Sequence, residues 1–154
     1  MEKDGKMKKN KKQNKASWHH LVMFDFDDTL AIDEACTLVK DKETGRFVDH
    51  LYGQEEFDNH NLDETKYFYD YSEFETVSPF TTPISNTLEL MREYLAKEDT
   101  KVIVLTARQD SSKGAIKNWL GLQGIDTSMV SVYGSSGANL KAEYLKNLID
   151  DFSI

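Results

Sequence analysis

Two carboxylates, Asp25 and Asp27, follow an apolar run and are spaced two residues apart, which suits phosphoryl transfer. A carboxylate attacks phosphorus directly when a divalent cation screens its repulsion from the phosphate and stabilises the transferring group. A second acid can protonate the leaving oxygen and then activate the water that hydrolyses the acyl phosphate. Asp25 is therefore the candidate nucleophile and Asp27 the candidate general acid and base. Mg²⁺, which prefers oxygen ligands, is the candidate metal.

Three further polar residues are candidates for the same site. Thr106 ends a second apolar run and offers a hydroxyl to a phosphate oxygen, with a strand-ending cap as the alternative interpretation. Lys141 offers a positive charge to Asp25 and phosphate, unless it is an ordinary solvated lysine. Lys113 is its rival and is disfavoured because it comes one strand too early. Arg108 is a candidate for contact with substrate.

Three buried strands must bring these residues together. The segments 21–26, 102–105 and 129–133 are apolar runs that end in polar turns. Helical spacing of apolar residues separates them and follows the last one, so the order is strand, helix, strand, helix, strand, helix. This order predicts an α/β fold with a parallel sheet and right-handed crossovers. Ligands bind at the carboxyl ends of such strands, where all the candidates lie.

Local signals predict where the helices begin and end. Thr82 and Pro83 are typical of an N-cap and first-turn proline, so they predict the start of the first helix. Gly121 and Gly124 are predicted stops for the second helix. Asp150 and Asp151 are predicted to cap the end of the last helix or to begin a lost connection.

An aromatic-rich insertion occupies residues 33–81, which is too long for a simple crossover. Within it, 37–40 and 46–52 flank the turn-forming segment 42–45 and predict a β-hairpin. A small flap over the end of the first strand is the functional interpretation. The alternative is that most of the aromatic residues only pack the insertion onto the domain.

The segment from Asp25 to Leu30, DFDDTL, resembles the first motif, DxDxT, of the haloacid-dehalogenase-like superfamily. Thr106 after its apolar strand is similar to the second motif, and Lys141 to the third. The resemblance implies a three-layer α/β/α Rossmann-like fold and a Mg²⁺-dependent phosphohydrolase. It also implies that Asp25 is nucleophile and metal ligand, and that Asp27 is the general acid and base with its backbone carbonyl on the metal. Thr106 would bind phosphate and Lys141 would pair with the charge of Asp25.

The Thr106-Ala107-Arg108 triplet and the helices around it resemble small phage and bacterial members related to the phosphatase half of polynucleotide kinase. The aromatic insertion offers rings on which a base can stack, and the basic tail offers charge to hold a strand, so a nucleotide or nucleic-acid end is the candidate substrate, beside phosphorylated small molecules in general. The family's fourth motif supplies further acids from a strand after the lysine-bearing helix. Here the sequence ends at Ile154, a few residues past that helix, so we expect that motif to be missing: either the chain is shortened or its metal site is weakened.

Charge is divided unevenly along the 154 residues. The net charge is -8, yet residues 1–20 carry a balance of +5, which leaves -13 for the remainder. So acidic a body argues against broad binding of polyanions. Residues 1–17 are predicted to be a disordered basic tail that is either a solvated leader or a tether for nucleic acid. The single cysteine, Cys36, is predicted to be a buried apolar residue.

No apolar run is long enough for a membrane span or a signal peptide, so we expect a cytoplasmic protein without a membrane partner or an obligatory protein partner. Two other functions are open to the same residues. One is a phosphate-binding regulatory module that has lost turnover. The other is a receiver-type signalling domain, disfavoured because Asp25 and Asp27 supply a nucleophile and an acid together.

Overall fold

A computed structural model describes residues 18–152 and residue 154. The basic tail predicted for 1–17 lies outside the described residues. The strands in the described part are β1 (His20–Phe24), β2 (Ala31–Ile32), β3 (Thr37–Asp41), β4 (Phe47–Leu51), β5 (Tyr67–Asp70), β6 (Thr82–Pro83), β7 (Thr100–Thr106) and β8 (Val130–Gly134). The helices there are α1 (Gly53–Asp58), α2 (Ser85–Leu95), α3 (Lys113–Leu122) and α4 (Lys141–Asp151).

A parallel sheet of three strands, in the order β1-β7-β8, forms the centre of the fold. Phe24 of β1 pairs with Val104 of β7, and Thr106 of β7 pairs with Gly134 of β8. The prediction of an α/β fold with a parallel sheet is thereby confirmed. The three predicted strands all lie in this sheet, so their carboxyl ends meet at one edge.

Residues on both faces of β7, the middle strand, are buried. Every residue of β7 is buried except Lys101, as expected of a parallel strand that is covered on both faces. Leu88 and Met91 of α2 pack against the sheet with Ile116 and Trp119 of α3. The apolar spacing of the helices is thus used to cover the sheet.

The insertion forms its own antiparallel sheet in the order β4-β3-β5. The predicted β-hairpin is confirmed as β3 and β4. In its turn, Asp41 accepts hydrogen bonds from the backbone N–H groups of Glu43 and Thr44, and Gly45 has a φ of 70°. The third strand β5 and the short helix α1 had no clear signal in the sequence.

The predicted helix start at Thr82 and Pro83 is wrong. These two residues form β6, which pairs antiparallel with Ala31 and Ile32 of β2. Ile84 N–H then donates to the Leu30 carbonyl at 2.9 Å, and α2 begins only at Ser85. Pairing with β2 therefore outweighs the local preference for an N-cap, and it fastens the start of α2 to the loop that carries Asp27.

The other predicted helix ends are mostly confirmed. Gly124, with a φ of 85°, follows the end of α3, whereas Gly121 lies inside α3, so its predicted role as a stop is wrong. Asp150 and Asp151 lie at the exposed end of α4, as predicted, but they are its last helical residues and Phe152 is the C-cap. Within residues 18–152, no helix combines the length and the apolar character that crossing a membrane requires.

Candidate active site at the carboxyl edge of the parallel sheet

A tight loop after β1 presents the two candidate carboxylates. The Phe26 carbonyl accepts hydrogen bonds from the backbone N–H groups of Thr29, Leu30 and Ala31. Asp28, at a φ of 62°, turns the chain in the left-handed conformation that aspartate tolerates. The Phe26 side chain is fully buried, with its ring 5.5 Å from that of Trp119. Because Phe26 is anchored in the core, the acids on either side of it are held at the end of the strand.

Asp25 is oriented by one contact to each carboxylate oxygen. Its Oδ1 accepts from Phe26 N–H at 2.7 Å, and its Oδ2 lies 2.9 Å from Nζ of Lys141, the first residue of α4. The side chain is 42% exposed, so it is held on two sides and still open to a ligand. The structure thus brings the candidate nucleophile and its predicted charge partner together.

Thr106 is the last residue of β7, at the same edge of the sheet, and only 1% of the residue is exposed. Its Oγ1 accepts from Arg108 N–H at 3.2 Å. The hydroxyl hydrogen keeps the capacity to donate, which a phosphate ligand requires. The position of Thr106 is as predicted, and its binding of phosphate stays a prediction.

Arg108 is buried, and the protein accepts hydrogen bonds from all of its guanidinium donors. Nε and Nη2 donate to the two carboxylate oxygens of Asp27 at 2.9 and 2.7 Å, and Nη2 also donates to Asp33 Oδ2 at 2.7 Å. Nη1 donates to the carbonyls of Phe74 and Thr76 at 3.1 and 2.9 Å. A guanidinium has five N–H donors, and these contacts use them all. The predicted contact of Arg108 with substrate therefore requires one of these bonds to break.

Two aromatic rings enclose the same guanidinium. Its central carbon lies 5.1 Å from the centre of the Phe26 ring and 5.3 Å from that of Phe74. Burial lowers the pKa of Arg108, but the hydrogen bonds and charges of Asp27 and Asp33 outweigh burial, and the net shift is upward. Arg108 is a fixed cation that joins the loop after β1 to the insertion.

Asp33 is a residue of this site that sequence reasoning missed. Its side chain is only 3% exposed. Oδ1 accepts from Thr81 Oγ1 and from Glu34 N–H, each at 2.9 Å, while Oδ2 accepts from Arg108. A lone aspartate at the start of an insertion carries no pattern that points to an arginine far along the chain. Only the fold pairs them.

The end of β8 packs against the backbone of the loop that carries Arg108. A Cβ on Gly134 would lie 2.6 Å from the backbone of Arg108 and Gln109, so only glycine fits there. Gly134 N–H donates to Asp110 at 3.0 Å. This hydrogen bond lowers the pKa of Asp110; partial burial opposes the shift, and Lys113 adds to it. Lys113 pairs with Asp110 at 3.0 Å. Lys141, not its rival, is the lysine in contact with Asp25.

The oxygen donors predicted for Mg²⁺ are the Asp25 carboxylate, which is 42% exposed, and the Asp27 backbone carbonyl, whereas the Asp27 carboxylate faces Arg108. Among the described residues, no group of three or more His, Cys, Asp or Glu side chains has the arrangement of a metal site. Mg²⁺ commonly uses one or two carboxylates and completes its shell with water and substrate phosphate. This donor set fits such a hydrated ion.

The described residues thus gather Asp25, Lys141, Asp27 and Arg108 at one edge of the sheet, with Thr106 buried at the end of the neighbouring strand. Comparisons of the chain with protein-family models, with curated proteins and with solved structures gave no match. The function is therefore inferred from this geometry.

Proposed function

We propose that the chain is a Mg²⁺-dependent phosphohydrolase that acts through an aspartyl-phosphate on Asp25. The observation that carries the proposal is the 2.9 Å contact of Lys141 Nζ with the half-exposed carboxylate of Asp25. The ammonium orients the carboxylate, and it offsets the charge of an incoming phosphate. An ion pair that served stability alone would gain little at such exposure.

Two proton transfers by Asp27 accompany the chemistry. Asp25 attacks phosphorus while the bond from phosphorus to the leaving oxygen breaks, and Asp27 gives that oxygen its proton. The Asp27 carboxylate then takes a proton from water as the water oxygen attacks phosphorus and the bond from phosphorus to the Asp25 oxygen breaks. Inorganic phosphate leaves, and Asp25 and the protonated Asp27 are restored. When bound, Mg²⁺ would neutralise charge on the phosphoryl oxygens, held by the Asp25 carboxylate and the Asp27 carbonyl.

The proposal extends to the fold family. A parallel sheet with its polar residues at the carboxyl edge supports a three-layer Rossmann-like arrangement of the haloacid-dehalogenase-like kind. The substrate we propose is a phosphorylated small molecule or nucleic-acid end. Exposed rings of the insertion support a substrate with a stacking base, since Phe47 and Tyr52 are 53% and 51% exposed.

Asp25→Asn tests the proposal most simply. We expect loss of Mg²⁺-dependent hydrolysis of an aryl phosphate with an unchanged melting temperature, because the neutral amide fills the same space but cannot attack phosphorus. Asp28→Asn is the matched control: it removes a neighbouring acid, and asparagine tolerates the positive φ of that position. Asp28→Asn should keep full activity. Activity of Asp25→Asn within a few-fold of wild type would remove Asp25 from the nucleophile role.

A phosphate-binding regulatory module is the second candidate. It is favoured because both Asp27 carboxylate oxygens accept hydrogen bonds from Arg108, so proton transfer by Asp27 requires one of these bonds to break. Calorimetry with Mg²⁺ and a phosphate mimic separates the two functions. Tight binding of the mimic without turnover of any phosphate ester would favour the module. Turnover that Asp25→Asn abolishes would favour the enzyme.

A further inference from the structure

We infer that Asp33 is a positioning residue that sets the orientation of Asp27 through Arg108. The inference rests on the proposed role of Asp27 as general acid and base. Asp33 lies outside the motifs, at the start of the insertion, and Phe74 and Thr76 lie near the end of the insertion. All three accept hydrogen bonds from Arg108, so the insertion is connected to Asp27 through Arg108.

The orientation of Asp27 depends on Arg108. Both Asp27 carboxylate oxygens accept hydrogen bonds from the guanidinium, in the bidentate arrangement that fixes a carboxylate most tightly. The Asp27 side chain is 39% exposed and is therefore not confined by packing. A shift of the guanidinium must move the carboxylate with it.

Asp33 in turn fixes the guanidinium. It shares Nη2 of Arg108 with Asp27, each at 2.7 Å, but it is 3% exposed where Asp27 is 39% exposed. Thr81 Oγ1 and Glu34 N–H hold the Asp33 carboxylate in place. Thr81, Asp33, Arg108 and Asp27 thus form a connected series that runs from a buried, fully bonded end to an exposed reactive end.

The substitution Asp33→Asn disturbs this series without removing volume. One carboxylate oxygen becomes an NH₂ donor. If that donor faces Arg108, two donors meet; if the amide is reversed, the donor faces Glu34 N–H instead. Either orientation costs a hydrogen bond at a buried position and removes the buried negative charge beside the guanidinium.

A displaced general acid has a signature that simple instability does not produce. Poor leaving groups need a proton in the transition state, whereas good ones leave with little help. We therefore expect Asp33→Asn to lower kcat/KM for an alkyl phosphate by roughly 10- to 100-fold, given that a small displacement of a reacting group costs on the order of 10²-fold. For a dinitrophenyl phosphate the fall should be under about threefold, because general-acid help is worth little there.

Three further variants complete the test. Thr81→Val removes only the hydroxyl that holds Asp33, and it should give the same pattern at smaller size. In a protein that already carries Asp27→Asn, Asp33→Asn should have no further effect on the leaving-group dependence, since interacting residues are not additive. Asp70→Asn is the control, because Asp70 pairs with Lys40 in the insertion and not with Arg108.

Equal losses for both substrates, or additivity with Asp27→Asn, would overturn the inference and leave Asp33 a structural residue. If the wild-type protein hydrolyses no phosphate ester, the proposed function fails separately. The series is then tested by crystal structures of wild type and Asp33→Asn. We expect the bidentate contact of Asp27 with Arg108 in the first and its loss in the second; an unchanged contact in the second would contradict the inference.

Discussion

The parallel sheet and the sheet of the insertion are stabilised in different ways. The middle strand β7 is buried along almost its whole length, whereas four of the five residues of β4 are exposed. The core sheet can therefore be stabilised by apolar burial, which is worth roughly 25 cal/mol per Å². In the sheet of the insertion, the middle strand β3 has only two buried residues of five.

Polar contacts fasten the insertion to the rest of the domain. Arg108 binds Asp33 and the carbonyls of Phe74 and Thr76. Ser111 donates to Glu75 at 3.2 Å. The part of the molecule nearest to Asp27 is therefore held by hydrogen bonds, which have defined directions. Such bonds orient a reactive group more accurately than apolar packing does.

The largest effect is expected from Arg108→Met, which leaves the buried carboxylate of Asp33 without its cation. Such a loss costs roughly 3–5 kcal/mol. Hydrogen exchange should show the amides of β3 and β5 opening more easily, with a smaller change in β7. Arg92→Met is the control, because Arg92 is 41% exposed and its contacts, an ion pair with Glu89 and a hydrogen bond to the Gln123 carbonyl, lie outside the insertion. The exposed ion pair contributes about 1 kcal/mol or less. Equal loss of protection in both sheets would contradict the comparison.

A matched pair of valines sharpens the same comparison. Val104 in β7 is fully buried, whereas Val48 in β4 is 50% exposed. Val104→Ala should lower the free energy of unfolding by about 2 kcal/mol through lost burial and the cavity it leaves. Val48→Ala should change it by less than about 0.5 kcal/mol. Denaturant unfolding measures both, and similar costs would show that the insertion packs more tightly than its exposure indicates.

Acid should weaken the insertion through Asp70. The hydrogen bond from Lys40, aided by Ser72, lowers the pKa of Asp70 to about 2. A lowered folded-state pKa gives stability that is present above the unfolded pKa, about 3.9, and lost as pH falls towards 2. We expect on the order of 1 kcal/mol, reduced by partial exposure of both side chains. Asp70→Asn should remove this part of the pH dependence between about pH 4 and 2, and Lys40→Met should reduce it, because Ser72 N–H still donates to Asp70. An unchanged pH profile in both would rule it out.

The smallest effect is expected at the end of α4. Asp150 lies nine positions after Lys141 along the helix, about 14 Å at 1.5 Å per residue. Replacing Asp150 and Asp151 together by Asn should therefore leave Mg²⁺ binding in the presence of a phosphate mimic nearly unchanged by calorimetry. Loss of that binding would show that these acids act as metal ligands.

Much of the fold could be predicted because its signals are local. The apolar runs at 21–26 and 102–105 and the turn at 42–45 each encode their structure in adjacent residues. The start of α2 was predicted wrongly because pairing of Thr82 and Pro83 with β2 depends on residues some fifty positions earlier in the chain. The secondary-structure propensity of adjacent residues does not predict pairing with a strand so far away in the sequence.

The candidate site divides in the same way. Asp25, Asp27 and Lys141 were predicted because they lie at the ends of elements whose edges must meet, and the contact of Lys141 with Asp25 agrees with that prediction. The hydrogen bonds of Arg108 to Asp27 and Asp33 could not be predicted. The contact of Arg108 with Asp33 joins an insertion to a loop after β7, and no sequence period relates the two.

A covalent trap tests the central claim, that Asp25 accepts the phosphoryl group, most directly. Asp27→Asn removes the base that activates water, so an intermediate on Asp25 should accumulate. After incubation with Mg²⁺ and a radiolabelled aryl phosphate, acid quenching and peptide mapping should place the label on Asp25, and the protein that carries both Asp25→Asn and Asp27→Asn should remain unlabelled. A label on another residue, or none in Asp27→Asn while the wild-type protein turns over the same substrate, would contradict the mechanism.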